Sequence, residues 1–195
     1  MNQTPLPQRE RKFESGPGHV AFGSTSRVIE PEDVAQDMHH LAARVRNLMD
    51  LQRGTPLKLP LGGSFFDIVV TAAGPAAASA VRLMDEIQRI PGARPTAPAC
   101  GPVIADPEHD WLIWLVPPGT HAVWEPNRWG TCLGAPYELV LPAMTHTEPP
   151  GPYWLRPCRG DRLVPRLPLW DALDQFRPGP IPAEELLGHL LSTTS

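Results

Sequence analysis

Asp106, Glu108, His109 and Asp110 place four potential metal ligands within five residues. An oxygen-rich turn of this kind can hold a hard cation such as Mg²⁺. It lacks the glycine and the ligand alternation of a calcium loop, and Asp and Pro also suit a solvated hairpin turn. Asp106, Glu108 and His109 are the expected metal ligands. His146 and Glu148 sit in a Pro-rich stretch and would need a third residue to hold an ion. Arg156, Arg159, Arg162 and Arg166 form the one basic cluster, interrupted only by Asp161. Guanidinium forks match phosphate oxygens, although a basic solvated edge is the plainer reading. Four of the six Trp fall between Trp111 and Trp129. Aromatic rings can stack the bases of a single strand. On a strand, Trp111 and Trp114 face opposite sides, so at most one joins such a surface. Trp114 is the candidate, and core packing is the alternative.

Other chemistry has no local support. There is no GxSxG, no Walker loop, no GxGxxG and no HExxH. Cys100, Cys132 and Cys158 are odd in number and widely spaced. They suit free thiols in a reducing cytoplasm rather than a disulfide framework or a zinc finger.

These residues need elements to position them. Residues 1–29 read as a tail, polar and without periodicity. Glu30-Pro31-Glu32-Asp33 then begins a helix with acids and a proline, where both are favoured. Val34, Met38, Leu41, Val45 and Leu48 recur at steps of 4, 3, 4 and 3, one apolar stripe over 31–52. That stripe must dock on this domain, on a protein partner or on a second copy of the helix.

From residue 59 the pattern changes. Residues 64–71 are aromatic and β-branched, a buried strand. Residues 76–90 read as a helix, with Ala77, Val81 and Met84 on one side and Pro91 ending it. Residues 102–106 and 111–116 read as strands joined by a four-residue hairpin turn. Shorter strands follow at 131–133, 137–141 and 153–156, then helices at 169–176 and 183–191. The expectation is a single α+β domain over 59–195. Its sheet is mainly antiparallel, or mixed, with short strands and flanking helices. The 26 prolines fit this pattern: 7 fall in residues 1–90 and 19 in 91–182, at strand ends and turns.

Charge adds exclusions. The net charge is −4, and residues 59–150 carry 4 basic and 9 acidic groups. General duplex binding, which needs phosphate neutralisation, is disfavoured. No apolar run approaches the roughly 18 residues of a membrane span, and residues 1–15 lack the apolar core of a signal peptide. A cytoplasmic chain without membrane contact is expected.

The order of short motifs resembles small proteins of GC-rich bacteria that are similar to the N-terminal domain of bifunctional DNA primase-polymerases. The resemblance rests on Ser64-Phe-Phe-Asp-Ile-Val-Val70, the Ala-rich 76–84 and Gly101-Pro-Val-Ile-Ala-Asp-Pro107. It continues through Trp111-Leu-Ile-Trp-Leu-Val-Pro-Pro-Gly119, Leu133-Gly-Ala-Pro-Tyr137, Leu139-Val-Leu-Pro142 and Gly151-Pro-Tyr-Trp-Leu-Arg-Pro157. It spans roughly residues 64–170. It implies a primase-polymerase-like fold. It also implies a site of paired acids, a His and a further Asp, which binds nucleotide phosphates through two divalent ions. Carried over, the paired acids fall at Asp67 and Val69, the His near Leu112 and the further acid near Gly130. Asp67 is thus the one retained catalytic position, and one acid cannot hold two metals.

Three readings follow. The first is a catalytically degenerate primase-polymerase-like domain that binds a nucleotide, a single-stranded nucleic acid or a protein, with no required cofactor. The second is a non-enzymatic interaction module using the 31–52 helix. The third is an active nucleotidyl transferase using Asp67, Asp106 and a displaced His109 with Mg²⁺ or Mn²⁺.

Overall fold

A computed structural model describes residues 31–51, 54–89, 91–92, 99–125, 129–158, 162–179, 181, 186 and 188, with the side chains of the first helix described from residue 40 to 50. The expected tail over 1–29 lies outside these residues, as does most of the expected helix over 183–191.

Helix α1 covers Pro31–Leu51. Strand β1 (Leu57–Pro60) precedes β2 (Asp67–Ala72) and helix α2 (Pro75–Ile87). The hairpin β3 (Val103–Asp106) and β4 (Trp111–Val116) follows, then a single turn α3 (Thr120–Val123). Strands β5 (Thr131–Leu133), β6 (Glu138–Leu141) and β7 (Tyr153–Arg156) lead to helix α4 (Arg166–Phe176). The fold is α+β, and every strand pair is antiparallel.

Five strands form one sheet in the order β5-β2-β4-β3-β7, and β1 and β6 form a separate two-stranded ribbon. All six residues of β4 are buried. Its continuous apolar run therefore serves two cores, one on each face of the sheet. On the helix side, Val69, Val103, Leu112, Trp114 and Val116 pack under α2 and α4 through Met84, Leu169 and Leu173. On the ribbon side, Ile68, Val70, Ile104, Ile113 and Leu115 pack against Leu59, Leu139 and Leu141 of the ribbon and against α1.

The local chemistry explains the breaks. Gly74 takes φ 121° ahead of Pro75, which opens α2 where a missing N–H costs nothing. In the β3–β4 turn, Asp110 adopts φ 55°, and Asp106 Oδ1 accepts the Glu108 N–H at 3.1 Å, an Asx turn. Beyond β4, the Thr120 hydroxyl donates to Pro117 O at 2.5 Å. This holds the Pro117-Pro118-Gly119 corner and starts α3.

Helix α1 belongs to the same core as the sheet. Val45 is fully buried, Met49 is buried, and Leu41 and Leu48 pack beside them on the ribbon side. Arg44 lies 5.9 Å over the Phe65 ring. In its described half, the stripe read as a partner surface is therefore covered by its own chain. The described part of α1 and the strands from residue 57 onward share one core. Val34 and Met38 lie outside the described side chains. The sequence reading also missed β1 and α3. β1 is four residues bounded by prolines, and α3 is one turn with no periodicity to detect.

Val45→Ala removes two buried methyl groups and is expected to lower stability by about 2 kcal/mol in urea unfolding. Asn47→Ala, on the exposed face, is expected to stay within about 0.5 kcal/mol of wild type.

Candidate functional site

Asp67 and the hairpin acids stand far apart. Asp67 pairs with Val116, and Asp106 pairs with Trp111 at the other end of β4. Five residues of strand separate these positions by about 17 Å. The side chains also leave opposite faces of the sheet. Asp67 shares the helix side with Val69, and Asp106 shares the ribbon side with Ile104. Asp67, Asp106 and His109 therefore do not converge, which removes the geometry of the transferase reading.

The hairpin acids form a pair rather than a metal centre. His109 Nδ1 lies 2.9 Å from Asp106 Oδ2, and its ring stacks on Trp111 with centroids 4.7 Å apart. Glu108 contributes its backbone N–H to Asp106 while its side chain faces solvent. Among the described residues, no three His, Cys, Asp or Glu side chains are grouped to hold a metal ion.

Asp67 is fully buried, and its partner is His121, which the sequence reading did not single out. Oδ2 accepts the backbone N–H of His121 and the ring Nδ1–H, both at 2.8 Å. Among the described residues, the buried Oδ1 has no hydrogen-bond partner. Leu133 pairs with Ile68, so Gly134 lies opposite Asp67. The imidazole fills the space above Gly134, and a Cβ there would collide with the ring. The only sequence signal for His121 is its place after a Pro-Pro-Gly corner. The remaining positions carried over from the resemblance lie in the packed core. Val69 and Leu112 are buried under the helices. Gly130 is packed so that a Cβ would meet Leu173, Val69 and Thr71 within 3.1–3.3 Å.

The expected nucleic-acid contacts are mostly consumed inside the chain. Trp114 is fully buried and its indole N–H donates to Thr71 Oγ1 at 3.0 Å, so its ring offers no face to a base. Arg156 donates through Nε and Nη2 to Asp85 Oδ2 at 3.0 and 2.7 Å. Asp85 Oδ1 accepts the N–H groups of Ala99 and Cys100 at 2.7 and 2.9 Å. Burial pushes the Asp85 carboxyl up, but Arg156 and the two amides outweigh it and hold the group below its ordinary value. Arg162 donates to Gln88 Oε1 at 3.0 Å, and Arg166 to Val123 O at 3.4 Å. Arg159 lies outside the described residues. The three cysteines are free, and burial pushes Cys132 up to about 12 and Cys158 up to about 11. They are poor nucleophiles at neutral pH.

A concave feature lies on the ribbon side. A cavity of about 500 Å³ lies between the ribbon, the sheet and the 142–152 loop. Ile68, Val70, Ile104 and Ile113 line it from the sheet, joined by Trp111 and Leu139. Asp106, Lys58, Glu138, Thr145 and His146 supply its polar side chains. Lys58 Nζ and Glu138 Oε2 pair at 2.8 Å across the ribbon. The loop wall is tied down from several sides. His146 Nε2 bonds Pro150 O at 2.9 Å, the Trp154 indole donates to Pro142 O at 3.0 Å, and Trp154 N donates to His146 O at 2.9 Å. The two-ligand site considered at His146 and Glu148 is thus a cavity wall and an exposed side chain. No protein-family model, curated protein or solved structure matches this chain.

Two predictions follow from the internal polar contacts. Arg156→Ala leaves the mostly buried Asp85 carboxylate without its cation, at a cost of about 3 kcal/mol at neutral pH by urea unfolding. Because the folded-state value of Asp85 is lowered, the pair's contribution is complete above the ordinary carboxyl value. It is lost as pH falls through the folded-state value, so the gap between variant and wild type should narrow as pH drops below the ordinary carboxyl range. His121→Ala and Gly134→Ala should each cost about 2 kcal/mol, since both strip the buried Asp67 of a charge-assisted bond. The double variant should cost clearly less than the sum, because both changes remove the same contact.

Proposed function

We propose that this chain is a binding module without nucleotidyl-transfer chemistry, and that it takes a small, largely apolar organic molecule in the cavity between the ribbon and the sheet. The cavity carries the reading. Its volume of about 500 Å³ lies within the range of ligand pockets, and an apolar lining with a few placed polar groups is their usual make-up. The wall formed by the 142–152 loop is held by hydrogen bonds inside the chain, so binding need not order it first.

Two observations favour this over nucleotide or nucleic-acid binding. The polar groups of the cavity include two carboxylates and one ammonium, a poor setting for phosphate. The described arginines of the cluster contact α2 or the end of α3, on the helix side of the sheet and away from the cavity. The primase-polymerase resemblance enters as a proposal about ancestry, with the site positions at Val69, Leu112 and Gly130 given over to packing.

A thermal-shift screen of small apolar compounds tests the reading. Hits should raise Tm in wild type, lose their effect in Ala143→Trp, which fills the cavity from its rim, and keep it in Arg166→Ala. Hits insensitive to Ala143→Trp, or a screen without hits, would reject the cavity as the site. Metal-dependent nucleotide incorporation on a primed template should stay at background.

A further inference from the structure

Resting on the cavity reading, we infer that the ligand is an organic amine, with its protonated nitrogen on Asp106 and its apolar body against Ile68, Val70 and Ile113. The charged and titratable groups lining the cavity are Lys58, Asp106, Glu138 and His146. Lys58 and Glu138 form an ion pair at the ribbon. His146 is turned to Pro150 O through Nε2. Asp106 is the buried acid of the set, at 3% exposure, and it lines the cavity beside apolar side chains.

Asp106 has acceptor capacity to spare. An ionised carboxylate accepts about four hydrogen bonds. Among the described residues, Asp106 receives two, from the Glu108 N–H on Oδ1 and from His109 on Oδ2. Asp106 already has one titratable partner in His109, at 2.9 Å, and a carboxylate at an apolar wall still gains from a further donor. An ammonium group would supply both charge and donors to the open lone pairs. Trp111 lines the same wall, and an indole ring beside a cation adds attraction. An acid of the same size would meet Asp106 and Glu138 as like charges. An alcohol would donate one hydrogen bond without relieving the charge.

Isothermal titration calorimetry of the full chain with phenethylamine, phenethyl alcohol and phenylpropionate separates these cases. The amine should bind at least about tenfold more tightly than the alcohol, with the acid weakest. Asp106→Asn keeps the side-chain shape and an acceptor oxygen. It should bring the amine down to the alcohol's affinity and leave the alcohol unchanged. Ala143→Trp should abolish binding of all compounds. If the three bind alike, or the acid binds best, and Ala143→Trp still blocks them, the amine assignment falls and the cavity reading stands. If none of the three binds wild type, the amine assignment falls again, and the screen above decides the cavity reading separately. If amine binding survives Asp106→Asn unchanged, the assignment of the nitrogen to Asp106 is overturned.

Discussion

β4 runs through the middle of the sheet with all of its residues buried, so its alternate side chains must be received by two separate cores. That constraint organises the molecule. One face is covered by α2 and α4, and the other by the ribbon and α1. A sheet covered on both sides has little room for polar side chains except near strand ends. The polar groups that remain are tied down one by one: Asp67 to His121, Asp106 to His109, and Thr71 to Trp114. Charge is carried at the ends of the sheet, and the middle is apolar and buried.

The two covers differ in how closely they fit. Helices α2 and α4 press small and apolar side chains onto the sheet, and even Gly130 is in tight contact. On the other face the two-stranded ribbon leaves a cavity beside the sheet. A ribbon of two four-residue strands cannot cover a five-stranded sheet, and the remaining wall is built from the 142–152 loop. This asymmetry separates the closely packed helix face from the face that holds the cavity.

The Arg156–Asp85 pair shows how a motif changes meaning in three dimensions. In sequence, Arg156 stands with three other arginines and suggests phosphate. In the fold, β7 edges the sheet beside β3, and the guanidinium reaches a carboxylate that also receives the Ala99 and Cys100 amides. The contact joins α2, the segment entering β3, and β7. It replaces a surface role with an internal tie between segments far apart in the chain.

The amino-acid sequence by itself determined the two long strands, the hairpin, helix α2 and the opposed directions of Trp111 and Trp114. Each depends on periodicity, turn chemistry and proline positions, which are local. The short strands at 131–133, 138–141 and 153–156 were legible for the same reason. Strand β1 and the turn α3 were not, being too short to carry a period. Only the tertiary structure decided that Asp67 meets His121 and that Asp106 faces a cavity about 17 Å along the sheet on the other side. It also decided that the described half of the α1 stripe is spent inside the domain. Those outcomes depend on strand order and on which element covers which face, and neither is written in the spacing of the residues themselves.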